Sequence, residues 1–397
     1  MAYFRMNARL AACLLLTACA ESGHPSGAPV SAARAIPGDS PPEGALENVA
    51  RAPVGDASAP VATTQDAARL SATSVLLPGA TPPVSIDYIA YDRARGRVWV
   101  PVGDTGSVDV LDVTSGSFTR VDGFKTAERE VRGQKRTVGP SAVAIGDGYA
   151  YIGNRATSEI CTVDSVALKL GSCVKLTSPT DGVAYVASAK EVWVTTPRDH
   201  SIVVLDASAP ETLKTTTTIR LDGAPEGYAV DDSHGVFFTN LEDKNRTVVI
   251  DVKSHRPKAT WSSECGPEGP RGIAVDASRS FVFVGCTDHV QVLDASRDGA
   301  PLAVLDTGGG VDNIDWLESR RLLYVAAGKA VKLTVARFDD RGRPTVVASG
   351  PSSEGARNGV ADVSGNAYAA DAKGGRMLVF RLPSVGAAQD VPNRASQ

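Results

Sequence analysis

Seven polar residues recur at one position of a repeated pattern: Asp87, Ser141, Asp181, Glu226, Arg271, Asp312 and Asn358. Each stands three residues before an equivalent place in a short apolar run, as in Asp87-Tyr88-Ile89-Ala90, Glu226-Gly227-Tyr228-Ala229 and Arg271-Gly272-Ile273-Ala274. Brought together, the carboxylates of Asp87, Asp181, Glu226 and Asp312 would suit a hard cation such as Ca²⁺ or another divalent ion, which takes six to eight oxygen ligands. Arg271 could instead clamp an anion. Asn154, Thr196, Asn240 and Asp371, each closing a second apolar run, would add to the same face. Residues of these types also cap connector backbone, so a structural role competes with a ligand site. Beyond a divalent ion no cofactor is expected.

What must position these residues is a repeat. The aligned positions 90, 144, 184, 229, 274, 315 and 361 are separated by 54, 40, 45, 45, 41 and 46 residues. Each copy reads as a first strand, a second strand rich in aromatic and β-branched residues (Val98-Trp99-Val100, Val192-Trp193-Val194, Phe281-Val282-Phe283-Val284), and a third strand, closed in many copies by aspartate. Spacing of roughly 40–50 residues is that of a four-stranded propeller blade, a sheet that buries both faces only by stacking on its neighbours. The expectation is an all-β, seven-bladed β-propeller of four-stranded antiparallel blades. The seventh copy has no fourth strand of its own. Residues 74–79 resemble the fourth-strand segment 219–223, so the N-terminal segment should pair into the last blade and close the circle. The aspartates should turn the chain by accepting backbone N–H two residues on. A closed ring of this kind is expected to be a monomer.

The run Pro270-Arg271-Gly272-Ile273-Ala274-Val275-Asp276, then Phe283-Val284 and Val290-Gln291-Val292-Leu293-Asp294, resembles the YVTN/NHL class of propeller repeat. The resemblance covers about 310 residues and implies the fold. Relatives of that class include binding scaffolds, stress-associated periplasmic proteins, lactonases and lyases, so function must be argued from a site.

The N-terminus says where such a propeller would work. Arg5 and Arg9 precede a short apolar stretch and then Leu16-Thr17-Ala18-Cys19, which looks like a bacterial lipobox with Cys19 as the lipidated residue of the mature chain. Several acyl chains would make a stable membrane anchor. Ala20 rather than aspartate after the cysteine favours the outer membrane. Residues 1–18 are thus expected to be a signal peptide, 19–70 a disordered Ala/Pro/Ser/Gly-rich tether, 71–383 the propeller and 384–397 a disordered tail. The location expected is the cell envelope, with the propeller facing either the periplasm or the cell surface.

Cysteine use agrees with export. Cys161 and Cys173 should face each other across a hairpin, and Cys265 and Cys286 should emerge on one propeller face, which favours two local disulfides. Four cysteines nevertheless permit three connectivities. A metal site there would lack CxxC spacing and nearby histidines. Trp99, Trp193 and Trp316 fall at core strand positions, and His200, His234, His255 and His289 at turns or surface. The segment 125–139, with Lys125, Arg129, Arg132, Lys135 and Arg136, reads as a solvated charged loop near the channel mouth. A net charge of −4 argues against nucleic acid as partner. No nucleophile elbow, phosphate loop or EF-hand pattern is present. The expected function is a non-enzymatic binding or scaffold protein for an envelope protein, a peptide or a small molecule. The alternative is a metal-dependent hydrolase, lactonase or lyase with its acidic site at the channel mouth.

Overall fold

The computed structural model describes residues 67–131 and 133–383. The lipobox with Cys19, most of the proposed tether and the C-terminal tail lie outside the described residues.

Seven antiparallel sheets follow one another along the chain. Their first strands are Ala90–Asp92, Pro140–Gly146, Val183–Val186, Pro225–Asp231, Ile273–Asp276, Val311–Leu317 and Gly359–Ala361. Three further strands pair outward from each. The second and third strands carry the core. In blade three, Glu191–Thr196 and Ser201–Asp206 are buried along almost their whole length. Val, Ile and Trp alternate there onto both faces, as a sheet packed between two others requires. Aromatic rings stitch neighbouring blades together: Trp193 stacks on Phe237 at 4.7 Å, Tyr151 on Tyr185 at 5.4 Å, and Phe283 against Trp316 at 4.8 Å. Trp99 and Trp193 are wholly buried and Trp316 nearly so, so the tryptophans pack the core as expected.

The outermost strands differ. Lys214–Arg220 (Lys-Thr-Thr-Thr-Thr-Ile-Arg) is mostly exposed, and it begins five residues before the segment 219–223 where the sequence places the fourth strand, overlapping it at Ile219 and Arg220. Polar β-branched residues suffice at a solvated edge. Leu221 has already left the sheet, its N–H donating to His200 O. The turn aspartates behave as expected. Asp112, Asp164, Asp206 and Asp294 accept the N–H of Thr114, Val166, Ser208 and Ser296. Hydrogen bonds within these turns, chiefly from Ser115 to Asp112, Ala167 to Asp164 and the Ser208 side chain to Asp206, hold those carboxyls below the usual range, and at Asp294, against burial, the side chains of Ser296 and Arg297 do so.

Ring closure takes the expected form. Ala72–Leu76 runs antiparallel to Arg376–Phe380, with Ser74 opposite Leu378, and completes blade seven. The chain adds something the sequence does not announce. Ala68–Arg69 pairs in parallel with Pro344–Pro351 as a fifth strand of blade six, and Leu70 is buried behind it. Residues 67–70, assigned to the tether, therefore belong to the propeller. The charged segment between blades one and two also departs from expectation. It forms a hairpin, Ala127–Val131 with Gln134–Val138, rather than an open loop.

Candidate functional site

The recurring polar position does converge, and it forms a charge network with a definite order. Arg155, just past the second strand of blade two, donates from Nη2 to Asp87 Oδ2 at 3.0 Å and to Asp181 Oδ1. Arg357, at the entry to blade seven, approaches Asp312 Oδ2 at 3.2 Å through Nε and Asp87 Oδ1 at 3.8 Å through Nη2. Asp181, Arg155, Asp87, Arg357 and Asp312 thus alternate in sign round blades three, two, one, seven and six. On the remaining arc, Arg271 of blade five pairs with Glu242 at 2.7 Å. Among the described residues, Glu226 of blade four makes no ion pair, although Arg357 acts on it from further off. Asn358 donates from Nδ2 to Asp87 O at 3.0 Å, and Ser141 turns its hydroxyl to Gly153 O.

Backbone contact sets the radius of this ring. The residue after the site position is glycine in blades three, four and five. A Cβ on Gly227 would overlap the carbonyl oxygen of Arg271, one on Gly272 that of Asp312, and one on Gly182 the ring of Tyr228. Side chains at these places would push the first strands apart. Below the ring, Tyr88 and Tyr228 stack across the axis with centroids 5.7 Å apart. Their hydroxyls donate to Glu226 O and Val183 O. Above that floor the mouth is a cavity of about 560 Å³, lined by Asp87, Arg155, Asp181, Glu226, Arg271 and Arg357 among others. The hairpin between blades one and two reaches it through Arg136 and Val138.

Burial governs the protonation of these groups. Withdrawal from water raises Asp181 to about 6, with Arg155 pulling down and Asp87 and Asp312 pushing up. Asp312 is likewise raised to about 6 by burial, against Arg357. Glu226 stands well above the usual carboxylate range, from burial first and then from Asp181, Asp312, Glu242 and Asp87, all of the same sign. Burial works against the charge of Arg155, but the paired carboxylates outweigh it and hold the guanidinium charged.

The second predicted set does not join the ring. Asn154 binds Lys125 O and the N–H of Ala156, Thr196 binds Ser201, and Asn240 binds Arg271 O, Gly272 O and Thr247. Asp371 caps Gly374 N–H and pairs with Arg376. All four are buried between blades, tying connectors down. The residues that sequence reasoning missed sit beside those it named. Arg155 follows Asn154, Glu242 lies two past Asn240, and Arg357 precedes Asn358. Arg155 and Arg357 are adjacent to the residues named, and adjacent residues in extended chain point to opposite sides, whereas Glu242 opens the short 3-10 turn that follows its strand.

The four candidate metal ligands also meet unequally. Asp87, Asp181 and Asp312 already carry guanidinium partners. Among the described residues, the one group of three acidic, cysteine or histidine side chains with ligand atoms within 4.8 Å of one another is Glu159, Cys161 and Cys173. The two sulfurs of that group are joined to each other, since Cys161–Cys173 and Cys265–Cys286 are both disulfides, as expected. Cys161 and Cys173 sit directly opposite in the strand register.

No protein-family model matches the chain, and no curated protein matches it. Solved structures similar to it include a hydrazine synthase chain of Kuenenia stuttgartiensis (15% identity, TM-score 0.62, 78% of this chain and 99% of that one). Also similar are U3-55K (12%, 0.63, 78% and 98%) and the WD40 repeats of RRP9 (12%, 0.61, 79% and 100%). At such identities the likeness is one of fold, and the chain is a seven-bladed β-propeller.

Proposed function

We propose that this propeller is a non-enzymatic binding protein of the bacterial cell envelope, of the YVTN/NHL type, held to the membrane through a lipidated Cys19 and presenting its charged mouth to a ligand. The observation that carries the binding role is the alternating chain Asp181–Arg155–Asp87–Arg357–Asp312, whose first four members line a cavity of about 560 Å³. Mutually paired charges held at the strand ends of a closed ring of sheets make a preorganised polar surface, which fixes a ligand at low ordering cost. Among the described residues lining it, none is a nucleophile set against a base. The envelope assignment is supported by Leu16-Thr17-Ala18-Cys19, by the Pro- and Ala-rich stretch after it, and by two disulfides.

One observation favours a second reading, a hydrolase or lyase. Asp181 and Asp312 titrate near 6 and Glu226 higher than usual, which suits proton transfer near neutral pH. A single experiment separates the two. The purified full chain is screened by thermal unfolding against envelope peptides, cell-wall fragments, small cations and sugar acids, and assayed in parallel for hydrolysis of lactones and esters with and without divalent cations. Stabilisation without turnover, lost in Arg155→Gln, is the expected result. Turnover that Glu226→Gln abolishes would replace the binding role with the enzymatic one.

A further inference from the structure

We propose that the channel below the tyrosine floor is a second ligand site, independent of the mouth. It takes a small organic zwitterion with an apolar body, the ammonium group at Asp315 and the carboxylate at Arg93. The sequence marks the place. The aligned first-strand position is alanine in six blades (Ala90, Ala144, Ala184, Ala229, Ala274 and Ala361) and aspartate only in blade six, at Asp315. A single carboxylate therefore breaks a ring of methyl groups.

Two adjoining cavities, of about 290 and 280 Å³, occupy this channel, and Ile89, Tyr228, Asp315 and Val360 line both. Together they reach the range of roughly 300–1,000 Å³ typical of small-molecule sites. Among the described residues, Asp315 is the one Asp, Glu, Lys or Arg lining the larger cavity, and Asp315 and Arg93 are the two lining the smaller. The channel thus offers one negative and one positive side chain in a mainly apolar wall.

Neither charge is neutralised by contact within the protein. Asp315 Oδ2 accepts the N–H of Ala361 at 2.7 Å and the Trp316 N–H acts on the same carboxylate, while Oδ1 keeps surface toward the channel. Both protein donors are neutral. Arg93 follows the first strand of blade one, at the end away from the mouth, and is exposed. Among the described residues its guanidinium makes no hydrogen bond or ion pair, and it acts on Asp315 only from further off.

A carboxylate in an apolar wall carries a desolvation cost that a cationic donor relieves. A simple cation would leave like charge facing Arg93, and a simple anion would leave like charge facing Asp315. A zwitterion answers both and adds no net charge, while Val230, Ile314 and Val360 cover its apolar body. A metal ion is served badly, since among the described residues Asp315 belongs to no group of three side chains able to share one.

The experiment is calorimetric titration of the full chain with two apolar zwitterions, leucine and ε-aminocaproic acid. Isoamylamine and isocaproic acid, which keep one charge each, are titrated alongside. Saturable binding of at least one zwitterion is expected, about tenfold or more tighter than either single-charge analogue. Whichever zwitterion binds better reports how far apart its charges are held, and either result supports the assignment. Asp315→Asn keeps an oxygen for the Ala361 N–H and removes the charge, so it should weaken binding about tenfold or more. Arg93→Gln, at the exposed rim, should weaken it several-fold. Circular dichroism checks that both variants fold; should Asp315→Asn fail to, Arg93→Gln decides. Three results would each overturn the proposal: no saturable binding of either zwitterion, a single-charge analogue binding as tightly as the better zwitterion, or binding indifferent to both substitutions. Such a failure leaves the reading of the mouth standing, because Tyr88 and Tyr228 lie between the two sites.

Discussion

Arg155 is the residue on which the charged mouth most depends, and replacing it tests the network directly. Arg155→Met keeps most of the stem volume but leaves Asp87 and Asp181 without their shared guanidinium. Breaking a buried ion pair from one side costs about 3–5 kcal/mol. The Arg155 side chain is 31% exposed and the two carboxylates about 15%, so solvent screening brings the expectation to about 2–3 kcal/mol at pH 8. The dependence on pH is the sharper part. Unfolded aspartates titrate near 4. Folded Asp181 is already raised to about 6 with Arg155 pulling it down, so the variant's value must lie higher still. A group whose folded pKa is raised binds more protons folded than unfolded, and its stabilisation, complete below about 4, is lost as pH rises through the folded value. Loss of stability with rising pH therefore continues further in the variant than in the wild type. Its deficit should be largest near pH 8 and shrink toward pH 5. Urea unfolding at several pH values measures this, since urea adds no ionic screening. A deficit equal at pH 5 and pH 8, or below about 0.5 kcal/mol throughout, would refute the network as drawn.

Three further outcomes bear on the frame. Gly227→Ala places a methyl against the Arg271 carbonyl of the next blade and should destabilise by about 2–4 kcal/mol, whereas Gly116→Ala, in an open turn at φ +70°, should cost only about 1–2 kcal/mol; chemical unfolding of both separates close approach from backbone strain. Replacing Cys161 and Cys173 together by serine opens a loop of 12 residues and should cost about 3 kcal/mol, read as a lower urea midpoint with unchanged slope. A chain shortened to begin after Leu77 leaves Arg376–Phe380 an unpaired edge. It should aggregate or lose its single cooperative transition in light scattering and calorimetry, and a soluble monomer of normal stability would count against closure by that strand.

The fold was legible because its signal is carried by buried strands. Val192-Trp193-Val194 and its counterparts must be apolar on both faces wherever they occur, so the period survives turns of different length. The outermost strands were less legible, since Lys214–Arg220 and Ala68–Arg69 need only satisfy an edge and have no apolar code to keep. At the site, the recurring position before each first strand was legible because seven copies share one geometry. Arg155, Arg357 and Glu242 were not, because they occupy different places relative to their strands and are brought together only by ring closure. Tyr88 and Tyr228 illustrate the same point: they stand two and one residues before the aligned position, yet meet across the axis.

That tyrosine pair explains why the carboxylates above it are poised as they are. Beneath it lie two cavities of about 290 and 280 Å³, lined mainly by apolar groups such as Ile89, Val230, Ile314 and Val360. The stacked rings keep the polar mouth and this apolar channel apart, so Asp181, Glu226 and Asp312 face water from one side only. Desolvation is the leading cause of the rise in all three. Tyr88→Ala removes half of the floor and admits water to their lower side, so Asp181 and Asp312 should fall from about 6 toward the ordinary value near 4. With folded and unfolded pKa values then nearly equal, the loss of stability that these two groups cause between pH 4 and 6 should flatten. Carboxyl-carbon NMR titration reads the pKa values and urea unfolding reads the slope. Values that stay near 6 in the variant would mean that like-charge repulsion within the ring, and not the tyrosine floor, sets the protonation of the mouth.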